Sequence, residues 1–167
     1  MEELWAYRQR LLATHAAQVD RLGSVLEGIP ERRLTRRPAG GGWSAHQLAV
    51  HVRDVEIQAY VPRVHRLMAE EDPLLADFDA EAFMAGHYDP AEPVAQIVQD
   101  VAQARQSVRR MLAYGNAAGW SRAGRHPALG ICTVQAWVER AVAHFDEHLR
   151  QLEGLRRAGR SAGADGG

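Results

Sequence analysis

The apolar positions of the chain fall into four stripes, each with helical spacing, separated by turn-forming stretches. Leu4, Leu11, His15, Leu22 and Leu26 share one face of a helix expected over about residues 2–27, and "GIP" ends it. A second helix opens in "GGWSAHQL". Ser44 there is an N-cap, Gln47 three residues on completes a capping box, and Trp43 and Leu48 occupy the positions of a hydrophobic staple. Its buried face continues through His51, Val55 and Ala59, and the helix is expected to end near Glu71. Pro62 removes a backbone donor and predicts a kink. A third helix is expected from "DPAEP", with Asp89 as cap, Pro90 in the first turn and Glu92 closing a box. Val94, Ile97, Val101, Val108 and Leu112 form its stripe, and Gly115 stops it. The fourth begins near Thr133, with Val134, Trp137, Ala141, His144, His148, Leu152 and Leu155 on one face.

Four amphipathic helices of this length predict an all-α four-helix bundle. The links at about 73–88 and 116–132 are longer than a simple bundle needs, which predicts crossover connections or a site built from them. The bundle domain is expected over 1–157. The remaining stretch 158–167, "AGRSAGADGG", has no apolar residue beyond alanine and is expected to be a mobile tail.

Composition narrows the function without choosing it. With 167 residues, 46% hydrophobic and 25% charged, the chain has the size and balance of one globular domain with a core. A net charge of −1 provides no drive toward nucleic acid or anionic membrane, and no apolar run has the length of a membrane span. The single cysteine, Cys132, forbids an internal disulfide, and "MEELWAYRQR" lacks a signal-peptide core; together they predict a cytoplasmic protein. Cys132 reads as a small buried side chain rather than a nucleophile. There is no lysine, so neither a Schiff-base nor a P-loop lysine is available.

The candidate chemistry lies in histidines. His144 and His148 stand four apart on one helix face, about 5–6 Å from each other at Cβ. Both fall on the apolar stripe, where their ring nitrogens need partners, and one metal ion satisfies both. His51 holds the matching place on the second helix. Three protein ligands with an open position are the pattern of catalytic zinc sites, and nickel, iron or manganese also accept imidazole. The ligand pattern does not choose among these ions; the expected cofactor is a divalent cation, zinc or nickel first, with iron and manganese as alternatives. Phe145 stands where the H-E-x-x-H metalloprotease helix carries its glutamate. The candidate pocket-lining residues are His15, His126 and Glu147, although a core histidine is the simpler reading of His15 and a solvated carboxylate that of Glu147. His46 is expected to be exposed, and His65 and His87 have no evident context. Arg32, Arg33, Arg36 and Arg37 could hold an anionic ligand such as a thiol cofactor's carboxylate, with a solvated loop the simpler reading.

Three stretches, in this order, resemble the DinB/YfiT-like superfamily: "GGWSAHQLAVHVRDVE", "FDAEAFMAGHYDPAEPV" and "RHPALGICTVQAWVERAVAHFDEHLRQL". The resemblance covers about residues 4–155. It implies a four-helix bundle that binds a divalent metal through His51, His144 and His148. Members of that family are described as metal-dependent hydrolases, or as transferases using low-molecular-weight thiols such as bacillithiol or mycothiol. Others are stress- or damage-inducible with no assigned reaction. Many carry aspartate directly after the first histidine of the pair. Phe145 in that place implies that a hydrogen bond orienting a ligand histidine is missing or supplied elsewhere. The expectation is a metal-dependent thiol S-transferase or hydrolase acting on a small molecule. The rival is a non-catalytic metal-binding stress protein, and a homodimer is compatible with either.

Overall fold

The computed structural model describes residues 2–113 and 117–164, with side chains as far as 159. Helix α1, Glu2–Glu27, buries Leu11, His15, Leu22 and Leu26 as the stripe predicts. Leu4 departs from it and is 46% exposed. Arg8 is buried in the next turn, with Nε donating to Gln135 Oε1 (2.9 Å) and Nη1 to the Ala117 carbonyl (3.2 Å). A one-turn helix α2, Glu31–Leu34, occupies the arginine-rich stretch read as loop.

Helix α3, Ala45–Val55, begins with the expected capping box on Ser44 and Gln47. It passes into a π-helical turn, Glu56–Tyr60, and then into α4, Val61–Ala69. The irregularity expected at Pro62 is this turn. The proline ring and its missing N–H are incompatible with unbroken α-helical bonding one turn back, and the wider π turn absorbs them. Pro62 itself sits in the first turn of α4, where no donor is required of it.

The link after α4 holds a short helix, α5, Ala80–His87, capped by Asp79, whose side chain accepts from the Ala82 amide. Helix α6 is Val94–Ala113 and starts later than "DPAEP" predicts. Asp89 caps a turn instead, accepting from the Ala91 amide (2.8 Å), and Glu92 binds Arg53 rather than closing a box. Pro93 explains the delay, because the residue before a proline is pushed out of the α region. The stop expected at Gly115 lies outside the described residues.

The link before the last helix contains a hairpin that the apolar pattern does not reveal. Strands β1, Ala123–His126, and β2, Gly130–Thr133, pair antiparallel from Ala123↔Thr133 to His126↔Gly130. At four residues each they are too short to register as alternation. Gly124 is required there: a Cβ would come within 2.6 Å of the Pro73 carbonyl. Helix α7, Val134–Ala164, is capped by Thr133, whose Oγ1 accepts from the Ala136 amide (3.1 Å). It continues well into the expected tail. Alanine and arginine favour helix there, and Arg33 Nη1 holds the Gly159 carbonyl at 2.6 Å.

Helix α1 packs on α6 and α7, and α3–α4 packs on the same two. The connections α1 to α3 and α6 to α7 therefore cross the bundle, which accounts for their length. One apolar cluster contains Leu22, Leu48, Ile97, Phe145 and Leu152; a second contains Leu67, Leu75, Leu112, Trp120 and Trp137. Arg105 ties them together, fully buried, stacked 3.8 Å over Phe145 and donating to Glu56 Oε1 from Nε (2.9 Å) and Nη2 (2.6 Å). It also donates to the His15 carbonyl (2.6 Å) and Gln18 Oε1 (2.8 Å). Among the described residues no helix is long and apolar enough to cross a membrane.

Candidate metal centre

The capped start of α3 fixes the rotation of that helix and turns His51 toward α7. There it meets His144 and His148, which the 3.6-residue period places one above the other. His144 Nε2 lies 3.2 Å from His51 Nε2 and 3.1 Å from His148 Nε2. All three ligand atoms fall within 4.8 Å of one another. Donors of a tetrahedral ion with bonds near 2.0–2.1 Å stand about 3.3 Å apart, so the spacing fits one divalent cation.

Electrostatics favours the form of imidazole that binds metal. Burial, then the neighbouring His148, pulls the His51 pKa from 6.5 down to about 4. Burial, then His148, His51 and Arg105, pulls His144 down to about 3. Both rings are neutral at pH 7, with a lone pair to give. His148 is oriented by Gln151, whose Oε1 accepts from Nδ1 at 2.9 Å. That bond puts the proton on Nδ1 and turns the Nε2 lone pair toward the other two rings. The orienting bond in doubt because of Phe145 is thus supplied one turn later for His148. Phe145 itself is buried in the core under Arg105 and does not face the centre.

Two cavities open onto the histidine cluster, and His51 lines both. One, about 680 Å³, is largely apolar and is lined by Trp43, Leu48, His51, His148 and Leu155, with Glu81 at its edge. The other, about 300 Å³, touches His51 and His144 and is walled by Tyr60, Arg63, Trp137 and Arg140. The long links complete it with Asp77, Phe78 and His126. His126, expected from the sequence to line the pocket, lies here, buried, its Nδ1 accepting from the Ala128 amide (3.3 Å). Burial lowers its pKa, and Arg63 adds to that. Burial also pushes the Tyr60 phenol up to about 12, so it keeps its proton.

The other sequence candidates lie elsewhere. His15 lines neither cavity. It is buried within the bundle, and that burial, with Arg105 nearby, brings its pKa to about 2. Glu147 is exposed on the far side of α7, because one step along a helix turns a side chain by about 100°. His46, expected to be exposed, is buried between the Tyr88 hydroxyl (3.1 Å) and the Glu92 carbonyl (2.8 Å). His87 bonds the Phe83 carbonyl, and His65 is exposed. Arg33, Arg36 and Arg37 line a separate cavity of about 260 Å³ that contains none of the three histidines. Cys132 is buried and free.

Sequence reasoning missed Arg140, Trp137, Tyr60 and Arg63. Helical spacing was signal enough for the first two, since Trp137, Arg140, His144 and His148 succeed one another at three and four. Arg63 was hidden by the π turn. Twelve residues of regular α-helix would set it about 120° round from His51, and under-winding turns it back.

Fold and site together define a histidine-centred four-helix bundle with crossing connections. The chain belongs to the DinB superfamily, whose model matches residues 13–152. Among solved structures it is similar to YfiT from Bacillus subtilis, described as a probable metal-dependent hydrolase with an unusual four-helix bundle topology. That likeness has a TM-score of 0.78 at 19% identity, over 90% of this chain and 86% of the other. No curated protein sequence matches this one.

Proposed function

We propose that this protein is a metal-dependent enzyme in which His51, His144 and His148 hold one divalent cation, zinc or nickel first, and which transfers a low-molecular-weight thiol to a small electrophile. The observation that carries this reading is that two chemically different cavities open onto the histidine cluster, one at His51 and His148 and the other at His51 and His144. A staple that only stabilised the bundle would need no such access. A divalent ion bound there supplies Lewis acidity, which makes a thiol or a water nucleophilic at neutral pH. Gln151 orients His148, while the buried surroundings keep His51 and His144 neutral. Trp43 and Leu48 shield one approach from water, and Tyr60 offers a protonated hydroxyl on the other. Hydrolysis, with water in place of the thiol, is the second reading and is favoured by the description of YfiT.

Elemental analysis with a conjugation assay tests the proposal. About one divalent ion per chain is expected in the wild type, since three imidazoles make one site, and far less in His51→Ala. Loaded wild type should conjugate bacillithiol or mycothiol to an electrophile, and His51→Ala should not. A wild type that takes up neither zinc nor nickel refutes the metal reading. Metal uptake with ester or amide cleavage but no conjugation refutes the transferase in favour of the hydrolase.

A further inference from the structure

The smaller cavity has a feature that the three histidines do not explain. Trp137 carries two guanidinium groups around one indole, with the Arg63 carbon 4.5 Å and the Arg140 carbon 6.0 Å from the ring centroid. Arg63 spends Nε and Nη2 on the Ala76 carbonyl (3.3 and 2.9 Å), leaving Nη1. Arg140 forms no ion pair among the described residues, in contrast to Arg21, Arg53, Arg66, Arg105, Arg125 and Arg150. Asp77 is the one carboxylate in the lining among the described residues, and its side chain is 68% exposed. Its Oδ1 accepts from the Phe78 amide (2.9 Å) and stands 3.6 Å from His126 Nε2, beyond hydrogen-bonding reach. The cavity therefore keeps an excess of positive charge before any cation joins it.

Among the described residues, two buried donors in the same wall also lack partners. Trp137 Nε1 and His126 Nε2 are both buried without a hydrogen bond. Because His126 Nδ1 accepts from the Ala128 amide, the proton of the neutral ring sits on Nε2. Buried donors without partners are uncommon in native proteins, and both of these belong to residues that line this cavity.

We propose that this cavity is an oxyanion subsite that receives the carboxylate of a small organic acid, held by Arg140 and the free Nη1 of Arg63, with the body of the acid against Phe78 and its far end toward His144. A guanidinium edge matches two carboxylate oxygens in a plane, and the Phe78 ring in the wall suits the apolar body of a small acid in about 300 Å³. The subsite rests on the reading of the three histidines as the reaction centre and supplies its substrate class: an acid whose carboxylate is recognised at a distance from the bond that reacts.

Calorimetric titration with benzoate and with uncharged benzamide tests the assignment, because the two share a shape and differ in charge. Zinc-loaded wild type should bind benzoate at least tenfold more tightly than benzamide. Arg140→Gln should lose at least tenfold for benzoate and nothing for benzamide, with zinc content and melting temperature unchanged. Arg140 is exposed, so the substitution leaves the core intact. Equal affinities for the two probes, no benzoate binding, an unaffected Arg140→Gln, or tighter binding of inorganic phosphate than of benzoate would each overturn the carboxylate subsite. The metal reading fails separately: if zinc does not bind but benzoate still does and still needs Arg140, the subsite stands without the metal.

Discussion

Replacing Arg105 by methionine exposes what the centre of the bundle depends on. Methionine keeps an unbranched apolar stem of similar reach and removes only the guanidinium. Glu56 then loses the two bonds to Oε1, at 2.9 and 2.6 Å, while its Oε2 already lacks a partner among the described residues. The His15 carbonyl and Gln18 Oε1 lose their donor as well. Both members of the pair are 1% exposed, so water does not compensate. Removing one partner of such a pair costs about 3–5 kcal/mol, because a charge stays buried and unpaired. The loss should depend on pH with a defined sign. Burial already raises the Glu56 pKa, and Arg105 opposes that rise. Without Arg105 the folded-state pKa climbs further above the unfolded value. The stability that protonation of Glu56 contributes is then complete below the unfolded pKa and lost as pH rises through the folded one. Urea unfolding at pH 5 and pH 7.5 should show Arg105→Met nearer to wild type at pH 5, by at most about 1.4 kcal/mol per pH unit. The double variant Arg105→Met, Glu56→Leu should recover most of the loss. A loss below about 1 kcal/mol, or one equal at both pH values, would refute the view that Arg105 neutralises a buried carboxylate.

Gln151→Leu removes the acceptor that orients His148, and zinc affinity measured by chelator competition should fall by about 10–100-fold while the fold persists; unchanged affinity would show that His148 needs no orienting bond. Gly124→Ala forces a Cβ to 2.6 Å from the Pro73 carbonyl, and the hairpin must shift. Thermal or urea unfolding should register about 1–3 kcal/mol of destabilisation, and a neutral result would mean that the link yields freely.

The parts of the fold that are periodic and locally capped were legible. The stripe of α1, the box on Ser44 and the start of α7 each carry their signal within one turn of the residues concerned. Elements set by distant partners were not. Pro93 displaced the start of α6, Arg33 extended α7, and the hairpin exists because Gly124 lets a strand approach Pro73. The three histidines could be brought together on paper because each lies on an apolar stripe, where an imidazole is conspicuous. The arginines of the smaller cavity were not conspicuous, since arginine on a helix normally reads as surface. Only the under-wound turn at Glu56–Tyr60 and the flat face of Trp137 give Arg63 and Arg140 a common address.

The crossing connections also set when the centre can form. His51 and His144 are 93 positions apart, and they belong to neighbouring helices separated in the chain by all of α6 and both long links. During synthesis, α1 to α6 can leave the ribosome and begin to collapse with only one of the three imidazoles in place. The other two arrive together on α7, after all of these elements. An ion held through all three histidines would therefore report that α7 has been made and has docked, and would favour the docked arrangement over earlier ones.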